Sequence, residues 1–364
     1  MSSGNQVEKP RFFIDLLNYQ YHIGNITNMS LQANAGIINT RVLGLNPTIK
    51  YEMDDTLNYY RHFYINFKNP ISLPPNTEMF IAVLGHDHKT QDNRFKFRLQ
   101  QETQENNQDG YTEIINGSPV GASIYPSYDG WSLLKFTPSV VDEIIAVNFP
   151  TFRASSQSPP FLERFGGLAF GFIYEPEFHA DLAVTQSRIM DGVKQKQTKG
   201  GNTYSIINYT KPPNWWTGSP FELTDASDSA AYSNARIGRR SWDIGFSQLS
   251  DRFYTNGNPN GVFPANEMIS NVLPDTVNGN YSENEDYDNL SEIKTFNYNI
   301  NNDTSLYSTL YHHTLGGTLP FLFSPSQDNS PQNFAICRFD KPGFKVTQKS
   351  HKKFNIKMKI NESW

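Results

Sequence analysis

The chain has 364 residues, a hydrophobic fraction of 37%, an aromatic fraction of 14% and a formal net charge of −5. That is length for two ordinary domains and aromatic surface for a core, which excludes global disorder. A pI near 5.9 argues against a generic nucleic-acid binder, and a single cysteine, Cys337, excludes an intrachain disulfide and a cysteine zinc cage.

The 37 Asn, 24 Gly and 22 Pro supply turns and disfavour helices, while the many Phe, Tyr and Ile favour pleated surfaces. The composition therefore predicts a mainly β protein. The N-terminal run to Leu17 has no apolar signal core. Gly166 to Tyr174, the longest nearly polar-free run, falls far short of the roughly 20 residues needed to cross a bilayer. No export signal and no membrane insertion are expected.

Ile14 to His22 reads as a short helix. Eight strands follow at Gly36 to Leu45, Tyr60 to Phe67, Met79 to Leu84, Arg94 to Gln100, Tyr111 to Ile115, Ser132 to Phe136, Glu143 to Phe149 and Leu168 to Tyr174. In Arg61 to Phe67, His62, Tyr64 and Asn66 alternate with Phe63, Ile65 and Phe67, the mark of a half-buried strand. Short strands at near-even spacing predict an N-terminal β-sandwich or jelly roll over residues 1–174, rather than a parallel sheet with crossover helices.

Residues 175–228 form a connector and a first hairpin, with Gly200-Gly201 at the hairpin turn. Residues 229–364 form a second β-domain. It contains a strand at Arg239 to Leu249, a long loop at 256–302, and a short helix at Ser305 to His313 behind Asp303. Its last strand has Phe354, Ile356, Met358 and Ile360 inward and Asn355, Lys357, Lys359 and Asn361 outward. The fold class expected is mainly β: two β-sandwich or barrel-like domains with one or two short helices.

No constellation of catalytic, cofactor or metal residues stands out. His86-Asp87-His88 offers two imidazoles at i and i+2 but no further ligand, and reads as polar residues on the exit of a strand. Asn284 to Asn289 begins like a calcium loop, yet Asn289 replaces the Gly at the sixth position and Thr295 the Glu at the twelfth. Phosphate loops, nucleophile elbows and H-E-x-x-H are missing. Cys337 shares a face with Ala335 and Phe339 and reads as core. The C-terminal lysines, Lys345 to Lys359, suit a solvent face that discourages edge pairing. Tryptophans beside turn residues are the better clue, because a flat ring stacks on a sugar. Trp131, Trp215, Trp216 and the terminal Trp364 are the candidate contacts, to a glycan or to a neighbouring subunit, and each also suits a ring closing a core.

Several runs carry a family likeness: Pro10-Arg-Phe-Phe-Ile-Asp15, Ile81-Ala-Val-Leu-Gly-His86, Gly238-Arg-Arg-Ser-Trp-Asp-Ile-Gly-Phe-Ser-Gln-Leu-Ser-Asp251, Leu315-Gly-Gly-Thr-Leu-Pro-Phe-Leu-Phe323, Asn333 to Asp340 and Phe354 to Trp364. Together they resemble virion structural proteins of tailed phages, of the kind found in aquatic phages. That family's leading domain is similar to galactose-binding β-sandwiches. The chain ends Asn361-Glu-Ser-Trp364 where the family typically ends in an arginine-glutamate-valine-tryptophan-like sequence. The resemblance implies a non-enzymatic virion component assembled in the host cytoplasm. It would be a tail or tail-tip protein whose partners are copies of itself, other virion proteins and host-surface polysaccharide, with no nucleic acid. A double jelly-roll or decoration-type capsid protein, and a carbohydrate-binding module or depolymerase, are the alternatives.

Overall fold

A computed structural model describes residues 7, 9–31, 40–46, 51–55, 60–73, 77–88, 93–95, 97–101, 130–137, 143–153, 161–176, 179–190, 193–207, 238–250, 305–327, 333–343, 345–350 and 353–363. The protein is mainly β. Its first nine strands are β1 (Arg11–Asp15), β2 (Ile26–Leu31), β3 (Tyr51–Asp55), β4 (Tyr60–Ser72), β5 (Met79–His86), β6 (Asn93–Phe95), β7 (Arg98–Gln101), β8 (Gly130–Phe136) and β9 (Glu143–Arg153). Five follow in mid-chain: β10 (Phe161–Phe165), β11 (Gly167–Tyr174), β12 (Thr185–Ile189), β13 (Val193–Gln197) and β14 (Thr203–Ile207). The last five are β15 (Arg239–Ser250), β16 (Phe321–Ser324), β17 (Ala335–Phe339), β18 (Val346–Ser350) and β19 (Lys353–Glu362). Helix α1 (Leu16–His22) follows β1 directly. Asp15 caps it, its Oδ1 accepting from Leu17 N at 3.1 Å.

In the first half the antiparallel pairs nest: β5 with β8, β4 with β9, and β1 with β11. From β4 to β11 the chain crosses between two sheets at each step, apart from β6 and β7, which both pair with β9, and the separate β3–β10 pair. This is the nesting of a jelly roll. One sheet carries β1-β11-β5-β8, and the facing one carries β2-β4-β9-β6 with β7 also on β9. Met79, Ile81, Val83, Phe170 and Phe172 of the first pack against Met29, Ile65, Phe67, Val147 and Phe149 of the second.

The first sheet does not stop at β1. Strand β16 pairs with the other edge of β1, and the order runs on through β17, β19, β15 and β12 to make ten antiparallel strands with β18. The boundary expected at 175–228 therefore crosses a continuous sheet, and main-chain hydrogen bonds join the two halves. Strand β1 is the seam. All five of its residues are buried, and because successive side chains point to opposite faces this requires cover on both sides. Phe12 and Ile14 enter a core with Trp242, Phe321, Phe323 and Ile360, while Phe13 enters another with Phe80, Trp131 and Phe334. The approach is close. A Cβ added at Gly171, opposite Asp15, would lie 1.9 Å from Ile14 O, so that position requires glycine.

Much of the expected pattern appears, and some of it changes. The C-terminal alternation is present: Ile356, Met358 and Ile360 are buried, Phe354 is partly buried, and Lys357 and Lys359 are exposed. Cys337 is in the core beside Ala335 and Phe339. The part of Gly36 to Leu45 that is described is a 3₁₀ turn, Thr40–Gly44, rather than a strand; Val42 and Leu43 from it plug the sandwich core. The helix expected from Ser305 is a π-helical turn, Tyr307–His312. Ser308 O there accepts both His313 N, at 3.3 Å, and His313 Nδ1, which widens the turn to i+5. Asp303, Tyr111 to Ile115, the acidic loop at Asn284 and the loop at 256–302 lie outside the described residues.

Candidate interaction surface

Among the nine exposed large hydrophobic residues described, six fall between 182 and 206: Leu182, Ile189, Met190, Val193, Tyr204 and Ile206. Strand β12 forms the end of the ten-stranded sheet, paired with β15 on one side. Its base is fixed by Asp181, whose Oδ1 accepts from Ser247 N at 3.1 Å and whose Oδ2 accepts from Ser247 Oγ at 2.8 Å. Asp181 N also donates to Gly245 O at 2.8 Å, and a Cβ at Gly245 would come within 2.9 Å of the Asp181 carboxylate.

Beyond β12, β13 and β14 make a two-stranded sheet of their own. The turn expected at Gly200-Gly201 closes it: Thr198 N donates to Asn202 O at 2.8 Å, Gly201 N donates to Thr198 O at 3.0 Å, and Gly201 has φ +83. Every residue of β13 is exposed. The register sets Lys194 opposite Ile206 and Lys196 opposite Tyr204 on one face, with Val193 on the other. Apolar groups thus occupy both faces of an arm that carries Lys194, Lys196 and Lys199 and no carboxylate from Gly192 to Phe221.

The sequence-predicted contacts do not gather there. Trp131 is 8% exposed, and its ring centroid lies 4.6 Å from that of Phe334. It offers no open face to a sugar. The reason is register: Trp131 pairs with Leu84 on the sheet face that Phe334 covers. Trp215, Trp216 and Trp364 lie outside the described residues.

Other polar groups are buried within the fold. His86 ends β5, so the polar exit begins one residue later, and Asp87 and His88 are buried with it. The His86 and His88 rings stack at 4.8 Å. His86 Nδ1 accepts from His88 N at 3.3 Å, which leaves its Nε2 to donate to Ser132 Oγ at 2.9 Å. Burial, and then His88, hold its pKa well below the ordinary imidazole value. No three His, Cys, Asp or Glu side chains among the described residues meet as a metal would require.

A second group joins α1 to the π-helical turn, where the Tyr19 hydroxyl hydrogen-bonds His312 Nε2 at 2.6 Å. His313 packs edge-on to Tyr19 and Phe172, and burial pushes it down to about 3. Sequence reasoning missed a third group, the buried pair Arg240–Glu362. Nε donates to Oε2 at 3.1 Å and Nη2 to Oε1 at 2.9 Å, Nη2 also reaches Phe334 O at 2.6 Å, and the guanidinium lies 5.3 Å from the Trp242 ring. Both residues stand in runs that carry the family likeness, but their pairing across 122 positions has no spacing signal. Burial, together with the Glu362 charge, pushes the nearby Cys337 thiol well up. A cleft of about 270 Å³ lies between α1 and β4. Asn25 fills its wall, donating to Gln20 Oε1 at 2.8 Å and Asn69 O at 3.1 Å while accepting from Asn69 N at 2.8 Å, so it acts as a local lock.

No family model matches the chain, and no curated protein is similar to it. Among solved structures, the adhesin domain of Epf from Streptococcus pyogenes is similar at 12% identity, over 54% of this chain and 70% of that one, with a TM-score of 0.23. At that TM-score it carries no argument about fold or function. No helix among the described residues is long and apolar enough to cross a membrane.

Proposed function

We propose that the chain is a non-enzymatic virion structural protein of a tailed phage, assembled in the host cytoplasm and working through contacts between subunits. The observation that supports this reading most is the nested jelly roll extended through β1 into one ten-stranded sheet. Jelly rolls serve as viral capsid domains and as lectins, and fold alone does not choose between such uses. The burial of Trp131 weighs against the lectin use, because that ring is unavailable for stacking. The family likeness of the C-terminal segment favours a tail or tail-tip position.

A second reading, a capsid or decoration subunit, is favoured by the nesting itself. Negative-stain imaging of the purified protein separates the two: rings or tubes are expected of a tail component, closed lattices of a shell component. Monomers at every concentration, with no protein in purified particles, would remove both. Release of reducing ends from host polysaccharide, abolished by one Asp or Glu substitution, would overturn the non-enzymatic reading.

A further inference from the structure

We infer that the β13–β14 arm is the element by which one copy of this chain grips a second copy. This rests on the proposal that the chain works by subunit contacts, and it assigns the contact. An isolated two-stranded hairpin is marginal in water, yet this one leaves Tyr204 63% and Ile206 54% exposed, with Val193 exposed on its opposite face. Such a hairpin gains its burial elsewhere. Its root, in contrast, is tied to the body: β12 is paired with β15 as far as Ile189 opposite Arg239, and Val193 N donates to Met190 O at 3.1 Å, so the arm is tethered at small further ordering cost. Ile189 and Met190 extend the exposed apolar surface to the root.

Charge identifies the occupant. The arm carries three lysines and no acid, whereas the chain as a whole has a net charge of −5, so the rest of each copy carries −8. The body of a second copy is therefore the complementary surface, attracting the lysines while excess like charge keeps two bodies from meeting directly. On the arm, Lys194 and Lys196 stand directly across from Ile206 and Tyr204. Their methylene stems can cover the apolar groups while their ammonium groups reach carboxylates.

The test uses the full chain. Sedimentation should show the wild type self-associating, and doing so more weakly as salt rises. Tyr204→Ser with Ile206→Ser, and separately Lys194→Glu with Lys196→Glu and Lys199→Glu, should each weaken association roughly tenfold or more at unchanged melting temperature. Carbodiimide cross-linking of mixed light and heavy-isotope copies should join Lys194, Lys196 or Lys199 to carboxylates of the other copy. If both variants associate like the wild type, or the lysines cross-link only within one copy, the arm assignment falls while the subunit reading stands. If the wild type is monomeric throughout and missing from particles, the subunit reading falls and takes the arm assignment with it. Association unaffected by salt or charge reversal but lost in the Tyr204 and Ile206 variant would overturn the choice of an acidic second copy as occupant.

Discussion

Strands β1 and β13 are both five residues long, and the fold treats them oppositely. Every side chain of Arg11–Asp15 is buried, and every side chain of Val193–Gln197 is exposed. The first has a nearly continuous apolar run and main-chain partners on both edges, β11 and β16; the second alternates Lys with Gln and has one partner, β14. The contrast separates what holds this protein together from what it offers to others. An apolar strand covered on both faces makes two halves into one body, whereas a polar hairpin with a few apolar groups contributes little to that body and remains free to meet a partner.

The largest effect is expected at the seam. Phe12 is fully buried against Tyr174, Phe321 and Phe323, at centroid distances of 6.2, 6.0 and 5.3 Å. Phe12→Ala should cost about 3–5 kcal/mol, much of a domain's usual stability. Because β1 pairs with strands of both halves, calorimetry should show one lowered transition for the whole chain. Two transitions, of which only one moves, would mean that the halves are separable domains despite their shared sheet.

Strand β19 sharpens the same contrast within a single element. Ile356 is 1% exposed, while its neighbour Lys357 faces solvent. Ile356→Ala should cost about 2–5 kcal/mol and Lys357→Ser no more than about 0.5 kcal/mol. Equal losses in thermal melts would put the register wrong.

The alternation in β19 was legible because one face of that strand is wet, and period two then marks the other. The seam was not legible for the converse reason. With both faces covered, Arg11-Phe-Phe-Ile-Asp15 runs into Leu16-Leu17 without a change of period, and an apolar run of that length fits a helix as well as a strand. The hairpin turn at Gly200-Gly201 could be read from its glycines, but its lack of cover could not, since Lys and Gln suit an exposed strand on any sheet. Trp131 shows the limit for a site residue. Turn residues beside it suggested exposure, and only the placement of Phe334, more than 200 positions away, decides that the ring is buried. The Arg240–Glu362 pair is similarly a product of topology, made by the pairing of β15 with β19.

The pH dependence of stability offers a smaller, signed test of the buried side. Burial pushes the Asp15 carboxyl up to about 8 from 3.8, against the backbone N–H groups that favour its ionised form. The folded chain then keeps a proton that the unfolded chain releases, so this group makes stability fall as pH rises from about 4 to about 8. His86 and His313 act in the opposite sense. Burial holds both below the ordinary 6.5, His313 at about 3, so below 6.5 the unfolded chain takes up protons that the fold refuses, and stability falls as pH drops. On the acid side these two histidines, with His312 lowered by burial in the same sense, outweigh one carboxyl, and between 6.5 and about 8 only the carboxyl acts, the buried Cys337 thiol and tyrosines adding to the fall at higher pH. Melting temperature should therefore peak near pH 6.5, and Asp15→Asn should flatten the alkaline limb while leaving the acid limb. An alkaline limb unchanged in Asp15→Asn would show that this carboxyl is ionised in the fold.

The smallest expected effect on stability lies in the arm, and it tests the other side of the comparison. Tyr204→Ser with Ile206→Ser removes large apolar groups, yet both are more than half exposed in a sheet of two strands, so the change in unfolding free energy should stay within about 0.5 kcal/mol. Hydrogen exchange on dilute protein should separate the regions further. Amides of β13 and β14 should exchange by local opening, far faster than those of β1, which sits between two paired strands under side chains on both faces. The same measurement at higher concentration should slow exchange in the arm and leave β1 as it was if the arm gains its cover from another copy. Slow arm exchange in dilute protein, together with a clear loss of melting temperature in the double variant, would mean that the arm packs on its own body, and the division between a holding strand and an offered one would fail.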